Sequence, residues 1–441
     1  MEQAPSSSTP SEQALAPSPL AGRGSGSGVY HAHLYGRRAD KYAWLDTHSL
    51  HTAGYQPIVP ASPFYFFTPR QTQNLAAYQS WPSVAGIFPV NSVGIVTARD
   101  NLTIRWTPDE MWTTVLTFSQ SNEEFAREAF QLGKDARDWK VSLAQQDVKR
   151  DGGPHREKIV PILYRPFDVR YTYYTGRSRG FHCMPRPEVM RHMLAGENLA
   201  LITHKREELD VPWSHALVTN LITEHGLISS KTTNYHFPLY LYTSTDSPDM
   251  FHQERKPNLA DWLLPELSAA YGFTPTPEEV LAYIYAVLYS PTYRQKYAQE
   301  LRTDFPRIPF TADGALFRQM AALGQQLMDL HLLRSTPLLV GGKGGVKYQG
   351  QGSDVVEKVR YDPATGRVHI NADKYFEGVT PEMWEYQIGG YQVLEKYLKD
   401  RKGRRLDDPV RYIHIASALA ETISLQQQID ALYPQVEAQT I

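Results

Sequence analysis

The sequence predicts an α+β protein: a mixed β-sheet part followed by a mainly helical part with a small β-hairpin unit. Three features lead there. Residues 159–182 are rich in Ile, Val, Tyr and Phe and are broken by Pro166 and Gly176, as strands and their turns are. From 258 onward the apolar residues fall at helical spacing, as in Val280, Leu281, Ile284, Val287 and Leu288. Within that later part, Asp362–Pro363–Ala364–Thr365–Gly366 is a turn between two short β-like runs, 355–361 and 367–371.

Taken in order, residues 1–28 are rich in Ser, Pro, Ala and Gly and end in Gly24–Ser25–Gly26–Ser27–Gly28. Such a segment buries too little surface to offset its ordering entropy, so a disordered tail is expected. Residues 29–150 form an N-terminal α+β part. Short strands and loops are expected over 29–70, a turn and strand over Ile87–Arg99, and a helical region over 108–147. Thr107–Pro108–Asp109–Glu110 starts that region with a cap, a proline and two acids. Residues 151–257 form a β-rich part rich in Arg and Tyr. It contains a helix near 187–195 that stops at Gly196, and strands at Leu199–Thr203 and 235–243. Residues 258–441 are the helical part. Helices there start at Thr276–Pro277–Glu278–Glu279 and Thr380–Pro381–Glu382, run through 313–333, and end with one over 408–432.

A chain of 441 residues suffices for two or three domains. Its net charge of −2 gives no bulk pull toward nucleic acid, so local charge has to carry any such argument. The single cysteine, Cys183, excludes an internal disulfide and fits a reducing cytoplasm. No apolar run reaches membrane-spanning length, and the N-terminus lacks a secretory pattern, so no membrane partner is expected.

Several chemistries are expected to be absent. An amino-methyltransferase needs a polar-Pro-Pro-aromatic loop to hold a flipped base. No Pro-Pro pair occurs, and Ser62–Pro63–Phe64–Tyr65 lacks the second proline. No glycine-rich turn for a nucleoside cofactor follows a strand. In Gly341–Gly342–Lys343–Gly344–Gly345 no Ser or Thr follows the lysine, so a flexible loop is expected there rather than a phosphate cradle. Pro108–Asp109 with Asp138–Trp139–Lys140 formally fits a nuclease, but Asp109 is more simply a first-turn helix acid. Pro248–Asp249 with Glu254–Arg255–Lys256 is too cramped. The 15 histidines are scattered, and no metal-ligand spacing stands out. No catalytic, cofactor-binding or metal residue is therefore assigned.

The informative stretch is 156–206. It holds ten Arg or Lys against four acids, a local surplus of six, interleaved with Tyr164, Tyr171, Tyr173, Tyr174 and Phe181. Arginine forks onto guanine edges, Arg and Lys neutralise phosphates, and Asn pairs with adenine. The candidate DNA-facing residues are Arg165, Arg170, Arg177, Ser178, Arg179, His182, Arg186, Lys205, Arg206, Lys231 and Asn234. The other reading of the stretch, a charged sheet face whose arginine stems cover aromatics, stays open. Asp168 is expected to pair with Arg165 or Arg170. Lys399, Arg401, Lys402, Arg404 and Arg405 form a second basic cluster, suited to phosphates or to a solvated helix end.

Five stretches resemble the C-terminal specificity region of Type ISP restriction–modification enzymes. They are Val29–Leu34 (VYHAHL), Phe88–Asp100 (FPVNSVGIVTARD), Tyr164–Tyr171 (YRPFDVRY), Tyr283–Phe310 and Trp384–Gly403. The resemblance implies that the β-rich part is a target-recognition domain for a short asymmetric site on double-stranded DNA. It also implies association with methyltransferase and translocase domains or a subunit carrying them. S-adenosylmethionine, ATP and Mg²⁺ are then expected in those partner domains and not in this chain. Two alternatives are an adenine methyltransferase chain with degenerate motifs, and an interaction fragment that does not bind DNA.

Overall fold

The computed structural model describes residues 28–62, 65–69, 74–208, 211–243, 254–335 and 345–441. The low-complexity tail up to 27, the pair Pro63–Phe64, Pro248–Asp249 and residues 341–344 of the glycine loop lie outside them. The chain divides into two compact units, one ending at Leu75 and one beginning at Ala76.

In the first unit Val29–His31 pairs antiparallel with Gln56–Ile58, Val29 opposite Ile58. The helix Arg38–Thr47 was not expected. It has no side-chain cap and buries no residue, so it carries neither a start signal nor an apolar stripe.

Two sheets of the second unit carry its strands before Leu239. One has the order Ser92–Val93, Asn234–Pro238, Ala200–His204, Ala216–Thr219, all antiparallel. The other joins the hairpin Ile159–Arg165 and Asp168–Tyr173 to Ile222–Thr223, which runs parallel to its neighbour. The sheet part is therefore mixed, as expected. Strand character stops at Tyr173, and 174–186 is irregular. The helical region after Thr107 is three helices, Pro108–Gln120, Glu123–Ala129 and Val141–Lys149. Asn122 restarts the second by accepting from the Phe125 N–H at 2.9 Å.

The helix Pro277–Tyr289 is the centre of the core. Its capping box is present, with Thr276 and Glu279 each accepting from the other's backbone N–H, at 3.1 and 2.8 Å. Every residue from Val280 to Tyr289 is buried, the mark of a helix surrounded by protein. The helix Gly314–His331 crosses it at Gly324, where a Cβ would lie 1.8 Å from the Ala282 carbonyl oxygen. One apolar cluster joins Trp81, Phe88, Leu201, Phe237, Tyr283 and Tyr433. Boundaries expected at 150/151 and 257/258 thus fall inside one unit whose core runs across them.

The small β unit is larger than a hairpin. Arg360–Asp362 and Arg367–His369 pair as expected, but Tyr375–Glu377 and Lys347–Gln349 extend them to four antiparallel strands. Strands of three residues are too short for alternation to show in the sequence. The last helix, Pro409–Ala438, runs past its expected end. Among the described residues no helix is long and apolar enough to cross a membrane.

Candidate functional site

The basic surplus of 156–206 is largely cancelled by acids from outside that stretch. Arg156 meets Asp109 on the first turn of its helix, Lys158 meets Asp151, and Arg177 meets both Asp147 and Asp151. Arg165 donates to Glu224 at 2.6 Å, not to Asp168. Arg170 donates to Asp168 through Nε and Nη2, at 3.0 and 2.8 Å. Arg401 donates to the other oxygen of Asp168 at 2.8 Å, so the two basic clusters of the sequence share one buried carboxylate. Trp106 stacks on Arg170, Arg401 and Arg404, and Arg404 pairs with Glu110.

Arg165 and Arg170, expected to face DNA, are instead paired with buried carboxylates: Arg165 with Glu224, and Arg170 with Asp168, which Arg401 ties to the C-terminal segment. An open cleft of about 850 Å³ adjoins Arg170. Its walls set Asp100, Asp109 and Glu110 against Arg105, Arg170 and Arg404, so it focuses no net positive field.

The loop 174–186 is a different case. Asp147, buried on the helix Val141–Lys149, accepts from the Phe181 N–H at 2.9 Å and from Thr175 Oγ1 at 2.7 Å. Tyr174 Oη donates to the Pro185 carbonyl, and the Met184 backbone pairs with Val96. Phe181 is fully buried among Phe118 and Tyr173. From this anchored base Ser178 and Arg179 project into solvent. Arg179 and Arg186 both adopt left-handed backbone, φ 59° and 55°. For non-glycine residues that conformation is uncommon and is held only by surrounding contacts. Among the described residues Arg179, Arg186, Arg191, Lys205 and Arg206 make no ion pair, so their charge is available.

Lys205 and Arg206 are exposed at the end of the strand Ala200–His204, and Lys231 is exposed on the loop before Asn234. His182 and Asn234 are placed inside, against expectation. His182 has no exposed surface, contacts Thr172 Oγ1 at 2.7 Å, and is pushed down to a pKa of about 3 by burial. Asn234, also fully buried, accepts from the Leu227 N–H at 2.9 Å. Neither side chain is presented on the surface.

Burial likewise holds His236 and His331 near a pKa of 3 and His215 near 4. Below pH 6.5 an unfolded chain takes up protons at these four positions while the folded one does not, so stability falls with pH. Urea midpoints measured from pH 7 to 4 should decline throughout that window. A midpoint flat down to pH 5 would show that water reaches these rings.

Asp147 and Gly180 were missed from sequence. A Cβ on Gly180 would lie 2.2 Å from Asp147 Oδ2. Gly180 stands in the string Arg177–Ser178–Arg179–Gly180, and nothing local in it pointed to Asp147.

Residues 86–428 match the family model described as the Type ISP C-terminal specificity domain. The chain belongs to this family. Its fold is similar to that of three solved structures. The first is a cryoEM structure of a DrdV–DNA complex (22% identity, TM-score 0.69), matching 89% of this chain and 42% of that one. The second is the ATP-dependent Type ISP restriction–modification enzyme LlaBIII bound to DNA (17%, 0.64), matching 87% and 25%. The third is a nuclease-deletion mutant of the Type ISP enzyme LlaGI in complex with a DNA substrate mimic (18%, 0.64), matching 89% and 32%. This specificity domain thus spans less than half the length of each. No curated protein matches its sequence.

Proposed function

We propose that this specificity domain reads the DNA target of a restriction–modification enzyme. Arg179, with Ser178 and Arg186 beside it, contacts the duplex, and Lys205, Arg206 and Lys231 hold its phosphates. Methylation, translocation and cutting, with S-adenosylmethionine, ATP and Mg²⁺, belong to other domains of that enzyme. The observation that carries this reading is the anchored loop 174–186, which spends a buried carboxylate on presenting an unpaired arginine. Family membership and the DNA complexes among its structural neighbours support it.

The test is a gel-shift titration of duplex DNA at several salt concentrations. Affinity should fall steeply with salt, by a slope of about 0.9 for each phosphate neutralised. Arg179→Ala is the clean single change, because Arg177 is tied to Asp147 and Asp151. It should weaken binding by roughly 1–3 kcal/mol where it reads a base, or lower the salt slope by about 1 where it holds a phosphate. The melting temperature should stay unchanged. A duplex that fails to bind at low salt would overturn the reading.

A further inference from the structure

Lys205, Arg206 and Lys231 lie on two loops distant in sequence, and one carboxylate joins those loops. Glu207 Oε1 accepts from Thr232 Oγ1 at 3.1 Å. Its Oε2 lies 2.5 Å from His215 Nε2 and 3.4 Å from His204 Nδ1, and none of the three side chains has exposed surface. The two imidazoles stack with centroids 4.1 Å apart. The Glu207 backbone N–H also donates to the Arg302 carbonyl at 3.2 Å. Glu207 is thus tied down between the buried His204 and His215, while Lys205 and Arg206 beside it stay exposed.

Two histidines and a glutamate are also a donor set for zinc. The outer ring nitrogens decide between the two arrangements. A metal-bound imidazole gives its other N–H to an acceptor. Here Trp213 Nε1–H, which can only donate, points at His204 Nε2 from 2.8 Å. The Ser214 backbone N–H points at His215 Nδ1 from 3.3 Å. Both outer nitrogens therefore present lone pairs. With the outer nitrogens accepting, the inward nitrogens are left to carry the ring protons and have no lone pair to offer a cation; they face Glu207 Oε2 at ion-pair distance, outside hydrogen-bond geometry.

We propose that Glu207, flanked by His204 and His215 and bonded to Thr232, is a positioning residue that presents Lys205, Arg206 and Lys231 together as one phosphate-binding lobe. The proposal rests on the DNA-binding reading above.

It is tested on the full chain with a mixed-sequence duplex, at a temperature where circular dichroism shows every variant folded. The triple change K205A/R206A/K231A should lower the salt slope by about 2.7. Glu207→Gln should weaken binding about tenfold at low salt and lower the slope in the same direction. In the triple background it should cost nothing further, because the groups it positions are gone. Glu207→Asp should recover part of the loss. Thr232→Val, which cuts only the link between the loops, should give a smaller loss of the same kind and serves if Glu207→Gln does not fold.

Unchanged binding by E207Q and T232V, or an equal loss with and without the three basic residues, would overturn the proposal. So would one equivalent of zinc in the purified protein. A wild-type chain that binds no duplex would instead sink the parent reading.

Discussion

Asp168→Ala should be among the most destabilising single changes in this protein, costing about 3–5 kcal/mol. The carboxylate is 1% exposed and accepts three hydrogen bonds, two from Arg170 and one from Arg401. Removing it leaves two largely buried guanidiniums facing each other. Arg170 would keep only Asp400, at 3.6 Å. Stacking on Trp106 and Tyr164 holds the ring plane but supplies no counter-charge. Asp168→Asn should cost nearly as much, because its amide turns N–H groups toward a donor. The measurement is urea unfolding of the three chains, with the midpoint falling at constant slope. A loss below about 1 kcal/mol would mean that the network is hydrated and contributes as a surface ion pair does.

That network also shows why the sequence misled at Arg165 and Arg170. A window of fifty residues counts only its own acids. Glu224, Asp400 and Asp147 come from other segments, and their approach depends on the fold. The second basic cluster was visible at 399–405, but nothing local said that Arg401 would share a carboxylate with Arg170. Features governed by neighbours in sequence were legible. The cap at Thr276, the turn at Asp362–Gly366, the apolar face of 280–288 and the pairing of a nearby arginine with Asp168 all depend on residues a few positions apart. The helix Arg38–Thr47 was hidden because it has no cap and no buried stripe. His182 was misplaced because it lies in the irregular run 174–186, whose burial depends on distant packing, and Asn234 because the strand it opens is covered on both faces. Family resemblance reached further than periodicity because long strings record contacts that no local rule encodes.

The arginine-bearing loop 174–186 packs most tightly where Gly180 meets Asp147, and Gly180→Ala should disrupt it. A methyl group there would lie 2.2 Å from Asp147 Oδ2 and 2.5 Å from its Cγ, and neither can retreat. Asp147 is 5% exposed, and the same oxygen accepts from Phe181 N–H and Thr175 Oγ1. Moving the carboxylate strips both donors of their partner, at about 1–3 kcal/mol for each buried group left unsatisfied. Moving the loop instead pulls Phe181 from its packing against Phe118 and Tyr173. Either way Arg179 and Arg186 lose the contacts that hold their left-handed backbone. The arginines would remain but no longer point anywhere fixed, so duplex affinity should fall more than tenfold, beyond the loss from Arg179→Ala alone.

Asp147→Ala separates the steric cause from a general one. It makes room for the methyl while removing the acceptor, so G180A/D147A should bind and melt like D147A alone. Additive losses in that double variant would show that the glycine and the carboxylate act independently, and the loop would then owe its shape to something other than their contact.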